Sequence, residues 1–150
     1  MTIIPARFSD ELYAVLRIVS GLLFIMHGTK KFFGWPGGGG GVEIASLHGL
    51  AGIIEIIAGT MIMVGFLTSL AAFISSGQMA VAYFMAHLPN GFWPIENRGE
   101  PAALFSFIFL FLAFNGAGPL SVDAARHDRV HRHDMDTTME SDRARRDRAA

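Results

Sequence analysis

The chain has 150 residues, 51% of them hydrophobic and only 17% charged, with a net charge of −1 at pH 7. Its length suits one domain, its apolar content is high for a soluble one, and its near-neutral charge excludes a nucleic-acid partner. It has no cysteine, which removes disulfides, thiolate nucleophiles, iron–sulfur ligation and cysteine-rich zinc sites, so any redox role must use a bound cofactor or a partner protein.

Residues 1–8 form a short leader with Pro5 and Arg7. Ser9 is placed to cap a first helix over about residues 10–33, with Asp10 and Glu11 favourable in its first turn. Arg7 ahead of an apolar run resembles a signal peptide, but Arg17 interrupts the run and no small-residue cleavage site follows. Gly34-Trp35-Pro36 and then five consecutive glycines at 37–41 cannot stay helical and read as a flexible loop. Ser46 is the expected cap of a second helix reaching about Leu67, whose one ionisable residue from Leu50 onward is Glu55. Thr68-Ser69 makes a tight connection to a third helix ending near Leu88, in which Gln78 is the one strongly polar residue before His87. Pro89-Asn90-Gly91 stops it. Pro101 suits the first position of a fourth helix, which runs to about Asn115 and stops at Gly116-Ala117-Gly118-Pro119. The last 25 residues, from Arg126, hold seven arginines, six acidic residues and three histidines; they cannot bury a core.

Between Lys31 and Glu96 the only charged residues are Glu43 and Glu55. A soluble four-helix bundle would show polar faces at the 3.6-residue period, and helices two and three show none. They are also long enough to cross a hydrocarbon core, which needs about 20 residues; the fourth helix is short for a span. The expected fold is therefore all-α, an integral membrane four-helix bundle over residues 1–123. Residues 124–150 follow as a charged cytoplasmic tail, either disordered or a solvated helix. Arg7 and the seven tail arginines outnumber Lys30, Lys31 and Arg98, so both termini are expected in the cytoplasm. Trp35 and Trp93 then fall at the outer interface.

Within hydrocarbon an ionisable side chain costs roughly 2.5–3.5 kcal/mol for Arg or Lys on insertion scales, so such groups mark partners, cavities or the interface. Arg17 is expected in the inner half of helix one, His27 in its outer half and Glu55 near the middle of helix two, so Glu55 is expected to pair with Arg17 or His27. That pair either serves a site or only fixes helix register. Gly21, Phe24, Gly28 and Lys31 share one helical face, and one of Lys30 and Lys31 is expected to snorkel to the head groups. His48, His87, Glu96, Arg98 and Glu100 are expected near Lys30 and Lys31, although no pair has a metal-ligand spacing. No phosphate loop, nucleotide fingerprint or nucleophile motif is present.

Helix one, LRIVSGLLFIMHGTKKFF, resembles the opening of the DoxX family of small bacterial membrane proteins at Arg17, Gly21, Phe24, His27, Gly28 and Lys31. Residues 52–65, with Glu55, Ala58 and Gly59, are similar to its second segment. GEPAALF at 99–105 and GAGPLSVD at 116–123 are similar to its fourth helix and exit. The resemblance covers about residues 11–123. It implies a multi-pass protein of the bacterial cytoplasmic membrane linked to quinone-dependent oxidation of sulfur compounds or to oxidative and thiol stress. The functional expectation is a membrane subunit of an oxidoreductase in which His27, Lys31, Glu55 and Arg17 bind a quinone. A quinone head group wants a hydrogen-bond donor such as His27 or Lys31 in an otherwise apolar pocket. The alternative is a non-catalytic anchor or assembly scaffold for a soluble redox enzyme. Expected partners are membrane lipid, a soluble oxidoreductase or second membrane subunit, and a second copy of the chain.

Overall fold

A computed structural model describes residues 8–129 together with Met135 and Met139. Four helices follow one another: α1 (Ser9–Phe33), α2 (Leu47–Val64), α3 (Thr68–Ala82) and α4 (Glu100–Asn115). Beyond α3 the chain continues through a π-helical turn, Tyr83–His87, and a 3₁₀ turn, Leu88–Asn90. The apolar runs at Ser9–Phe33, Leu47–Val64 and Thr68–Asn90 are each long and apolar enough to cross a membrane. At about 1.5 Å per residue, the 16 residues of α4 span about 24 Å, short of a full hydrocarbon core. A helix covers residues 122–129, so the first six residues of the expected tail, 124–129, are helical, and the rest of it, apart from Met135 and Met139, lies outside the described residues.

The helix ends follow local chemistry, with three corrections. Ser9 is the first helical residue of α1, not its cap, and Phe8 precedes it without a side-chain cap. Lys30 and Lys31 in the last turn complement the helix dipole, and Gly34, at φ 67°, closes the helix by donating its N–H to the Lys30 carbonyl at 3.0 Å. Ser46 does cap α2, its Oγ accepting from the Gly49 N–H at 3.0 Å. That helix ends at Val64, short of Leu67, because Gly65 takes a left-handed φ of 75°. The Phe66 N–H then reaches back to the Met61 carbonyl, a Schellman closure. Pro101 is the second residue of α4, one place later than expected.

Packing joins α1 to α2 and α3 to α4, with α2 against α3 linking the two pairs, while α1 and α4 meet through aromatic rings, Phe24 lying edge-on to Phe109 at 4.7 Å between centroids. The α1–α2 contact depends on glycine. A Cβ on Gly21 would stand 2.7 Å from the Gly59 carbonyl oxygen and from the Met63 nitrogen, and one on Gly28 would stand 2.8 Å from the Gly52 carbonyl oxygen. Small residues let backbones approach in lipid, where no hydrophobic force drives helices together. Between α3 and α4 the link is polar: Ser76 Oγ donates to the Ser106 carbonyl at 2.8 Å, and Ser106 Oγ returns a bond to the Ser76 carbonyl at 3.2 Å. The core is Phe24, Ile62, Phe105, Phe109 and Leu112, with small Ala58, Ala71, Ala72 and Ala102 between them. Outside this core the surface stays apolar, with Phe107 71% and Phe114 84% exposed. A soluble bundle cannot tolerate such a surface, whereas lipid covers it.

Gly21→Ala should lower the melting temperature in mild detergent, since overpacking a close contact costs about 1–3 kcal/mol. Gly77→Ala, where an added Cβ meets nothing within 4 Å, should leave it unchanged or raise it through helix propensity. Equal losses in both variants would contradict the glycine seam.

Candidate functional site

The embedded polar residues divide between the two ends of the bundle. Arg17, 1% exposed, belongs to the end that holds the α2–α3 connection. Its Nη1 donates to the Ile62 and Met63 carbonyls at 2.9 and 3.0 Å, and its Nη2 donates to the Leu120 carbonyl at 2.5 Å. These oxygens are two carbonyls of the last turn of α2 and one on the segment leaving α4. A guanidinium supplies several donors in a fixed fork, which suits convergent carbonyls better than an ammonium does. The same exit segment supplies Asp123, whose carboxylate accepts from the Leu67 and Thr68 N–H groups at 3.0 and 3.2 Å. Leu67 sits at φ 46° and has no capping side chain of its own, so α3 is capped from across the fold. Tyr13 completes this end, its hydroxyl donating to the Gly116 carbonyl at 2.6 Å.

The other end carries a separate cluster. Glu55 is 3% exposed, on the face of α2 that looks at Gly28 of α1. Contrary to expectation, it pairs with neither Arg17 nor His27. Its Oε1 accepts from the Lys31 ammonium, forming an ion pair, and from Gln78 Nε2 at 3.1 Å. Helix register explains the difference. Antiparallel α1 and α2 place Gly21 against Gly59 and Gly28 against Gly52, which sets Arg17 beside Met63, two turns from Glu55. Lys31 lies on the Gly21–Phe24–Gly28 stripe and turns inward, whereas Lys30 is exposed. Of the two lysines, then, Lys30 is the one free to snorkel. The Lys31 side chain remains 25% exposed and is the open member of the cluster.

His27 is one residue off the buried stripe. It lies on the exposed side of α1, edge-on to the Phe105 ring of α4 at 5.8 Å between centroids. His87 is committed elsewhere, its Nδ1 3.1 Å from the Asn97 carbonyl oxygen and its ring stacked on Tyr83. Among the described residues no three His, Cys, Asp or Glu side chains converge to hold one ion. Buried Asn97 organises that loop, donating to the Gly91 carbonyl at 2.7 Å and accepting from the Gly99 N–H at 2.8 Å.

Two acceptors in the Glu55 cluster lack a partner among the protein groups: Glu55 Oε2 and Gln78 Oε1, both buried. An unsatisfied buried polar atom costs about 1–3 kcal/mol, more when charged. Arg17 Nε and Thr68 Oγ1 at the opposite end are likewise open; what sets this cluster apart is that both of its open atoms are acceptor oxygens beside an ammonium. The arrangement therefore offers an ammonium with two further donors, a carboxylate oxygen and an amide oxygen at one place in an apolar bundle. Gln78 was visible in the sequence as a lone polar residue in an apolar helix. Asn97, Tyr13 and the capping role of Asp123 had no comparable signal.

The end held by Arg17 carries a prediction of its own. Arg17→Lys should destabilise the folded protein by about 1.5–3 kcal/mol through loss of a charged hydrogen bond, read as a lower unfolding midpoint in detergent. Asp123→Ala should cost about 1 kcal/mol as a lost cap.

Comparison with known proteins agrees with this architecture. The DoxX family profile matches residues 12–88, from the first turn of α1 to the turn that ends the third span. An uncharacterized protein of Haemophilus influenzae is 45% identical over 124 residues, covering 78% of this chain and 92% of its own length. An uncharacterized membrane protein of Mycobacterium tuberculosis is 27% identical over 126 residues, covering 72% of this chain and 77% of its own. No solved structure matches the chain. With four apolar helices, the first two joined by a glycine seam, and the profile running through three of them, this membrane protein belongs to the DoxX family.

Proposed function

We propose that this protein is a subunit of a redox system in the bacterial cytoplasmic membrane, with both termini in the cytoplasm, and that it positions a quinone head group for a partner oxidoreductase. The observation that supports this reading is the carboxylate of Glu55, enclosed in an apolar-surfaced bundle and held by a lysine that turns inward from α1. The residues fit such a group. Lys31 retains donors for a carbonyl oxygen, Gln78 fixes the carboxylate, and Glu55 Oε2 and Gln78 Oε1 remain open as acceptors. His27 lies on the same helix, four residues before Lys31, against Phe105. When bound, a quinone supplies two-electron, two-proton exchange in the lipid phase. Lys31 orients it, and the surrounding apolar residues exclude water, which strengthens each polar contact. Arg17 lies outside this cluster and acts on it only by holding α1 to α2.

A second reading, an anchor for a soluble redox enzyme, draws on how many polar groups serve architecture alone: Arg17, Asp123, Asn97 and Tyr13 all bond to backbone. It predicts a co-purifying partner and no dependence of quinone content on Lys31.

Extraction in native lipid should yield the protein with quinone retained. Glu55→Gln and Lys31→Met should bind added quinone at least tenfold more weakly, with helical content and melting behaviour preserved. Wild-type protein that neither retains quinone nor binds it when added back overturns the proposal, and variants that fail to assemble support a purely architectural pair.

A further inference from the structure

We infer that the Lys31–Glu55–Gln78 cluster is built for the reduced, hydroxyl-bearing form of the carrier, a quinol, in preference to the quinone; this rests on the quinone-site reading above. The inference follows from which valences stay open. Both orphaned atoms of the cluster, Glu55 Oε2 and Gln78 Oε1, are acceptors. The assignment of the Gln78 amide is fixed by its neighbour: turning it over would set its oxygen against Glu55 Oε1 and lose the 3.1 Å bond to that atom. Gln78 Nε2 also points towards the Ala51 carbonyl at 3.4 Å, so both amide hydrogens face protein acceptors.

A quinone carries only acceptors on its ring oxygens. It can satisfy the remaining hydrogens of Lys31 but leaves both buried oxygens unpaired. A quinol carries two hydroxyl groups, each able to donate and accept. One hydroxyl donated to Glu55 Oε2 makes a charge-assisted bond, the strong kind, and the same hydroxyl oxygen can accept from Lys31. Glu55 Oε1 is taken up by the Lys31 ammonium and the Gln78 amide, which leaves Oε2 as the open oxygen; Lys30 lies exposed one residue before Lys31. Gln78 is the polar group facing it from α3, and the α4 residues at this level, Ala102 and Phe105, are apolar.

Binding of a short-chain decyl benzoquinol and of the matching quinone, measured by titration calorimetry on the full chain in lipid nanodiscs under anaerobic conditions, separates the possibilities. Wild-type protein should bind the quinol at least tenfold more tightly. Glu55→Gln should bring the ratio close to one, because the amide replaces the charged acceptor. Gln78→Leu, which keeps the ion pair, should lower the ratio in part, and it serves as the readout if the Glu55 variant does not assemble. Equal or tighter binding of the quinone by the wild type overturns this inference and leaves the quinone site standing. Failure to bind either form overturns both, and an undiminished quinol preference in both variants removes the assignment to these residues.

Discussion

Inside hydrocarbon no water is available to finish a hydrogen bond, so backbone groups must pair within the chain and each buried side-chain polar atom left open carries a cost. The fold depends on how α1 and α2 meet that condition. Their glycine seam brings the two backbones close enough for Arg17 at one end and Lys31 at the other to reach α2. Arg17 donates to the carbonyls of the last turn of α2, and Lys31 pairs with the carboxylate one turn before Gly59. Between these two polar ends lies the apolar core of Phe24, Ile62 and Phe109. Lengthening the contact by a methyl group at Gly21 would move both ends at once.

The two ends use their polar groups differently. At the Arg17 end the Nη1 and Nη2 donors meet backbone carbonyls, Arg17 Nε and the Thr68 hydroxyl stay without a partner among the described residues, and Asp123 caps a helix that has no cap of its own. That end is architecture, and it explains why a segment as far along the chain as residues 116–123 is tied back to α1. At the Lys31 end the groups are side chains bonded to one another, with two acceptor oxygens left over. Unfinished polar valences in a buried place are where a ligand adds most.

The architecture was legible in the sequence because the lipid solvent leaves a simple signature. Long runs without charge gave the spans, Ser46 gave the start of α2, and the spacing of Gly21, Phe24, Gly28 and Lys31 gave the buried face of α1. The partner of Glu55 was not legible. Depth alone made Arg17 and His27 plausible, but the choice depends on the antiparallel register of α1 against α2, which only backbone contact reveals. His27 illustrates the same limit: one step around the helix from Gly28 takes it from the seam to the exposed side. The capping of α3 by Asp123 was hidden because 55 residues separate donor and acceptor along the chain, and local rules see only the nearest turn.

The most direct test of an ion pair enclosed by the bundle is a solid-state NMR distance between the Lys31 side-chain nitrogen and the Glu55 carboxyl carbon, in protein labelled at both sites and reconstituted into bilayers. Strong dipolar dephasing, corresponding to hydrogen-bonded contact, is the predicted result. A lysine nitrogen that shows no coupling to that carbon, and instead exchanges freely with water at the head groups, would contradict it.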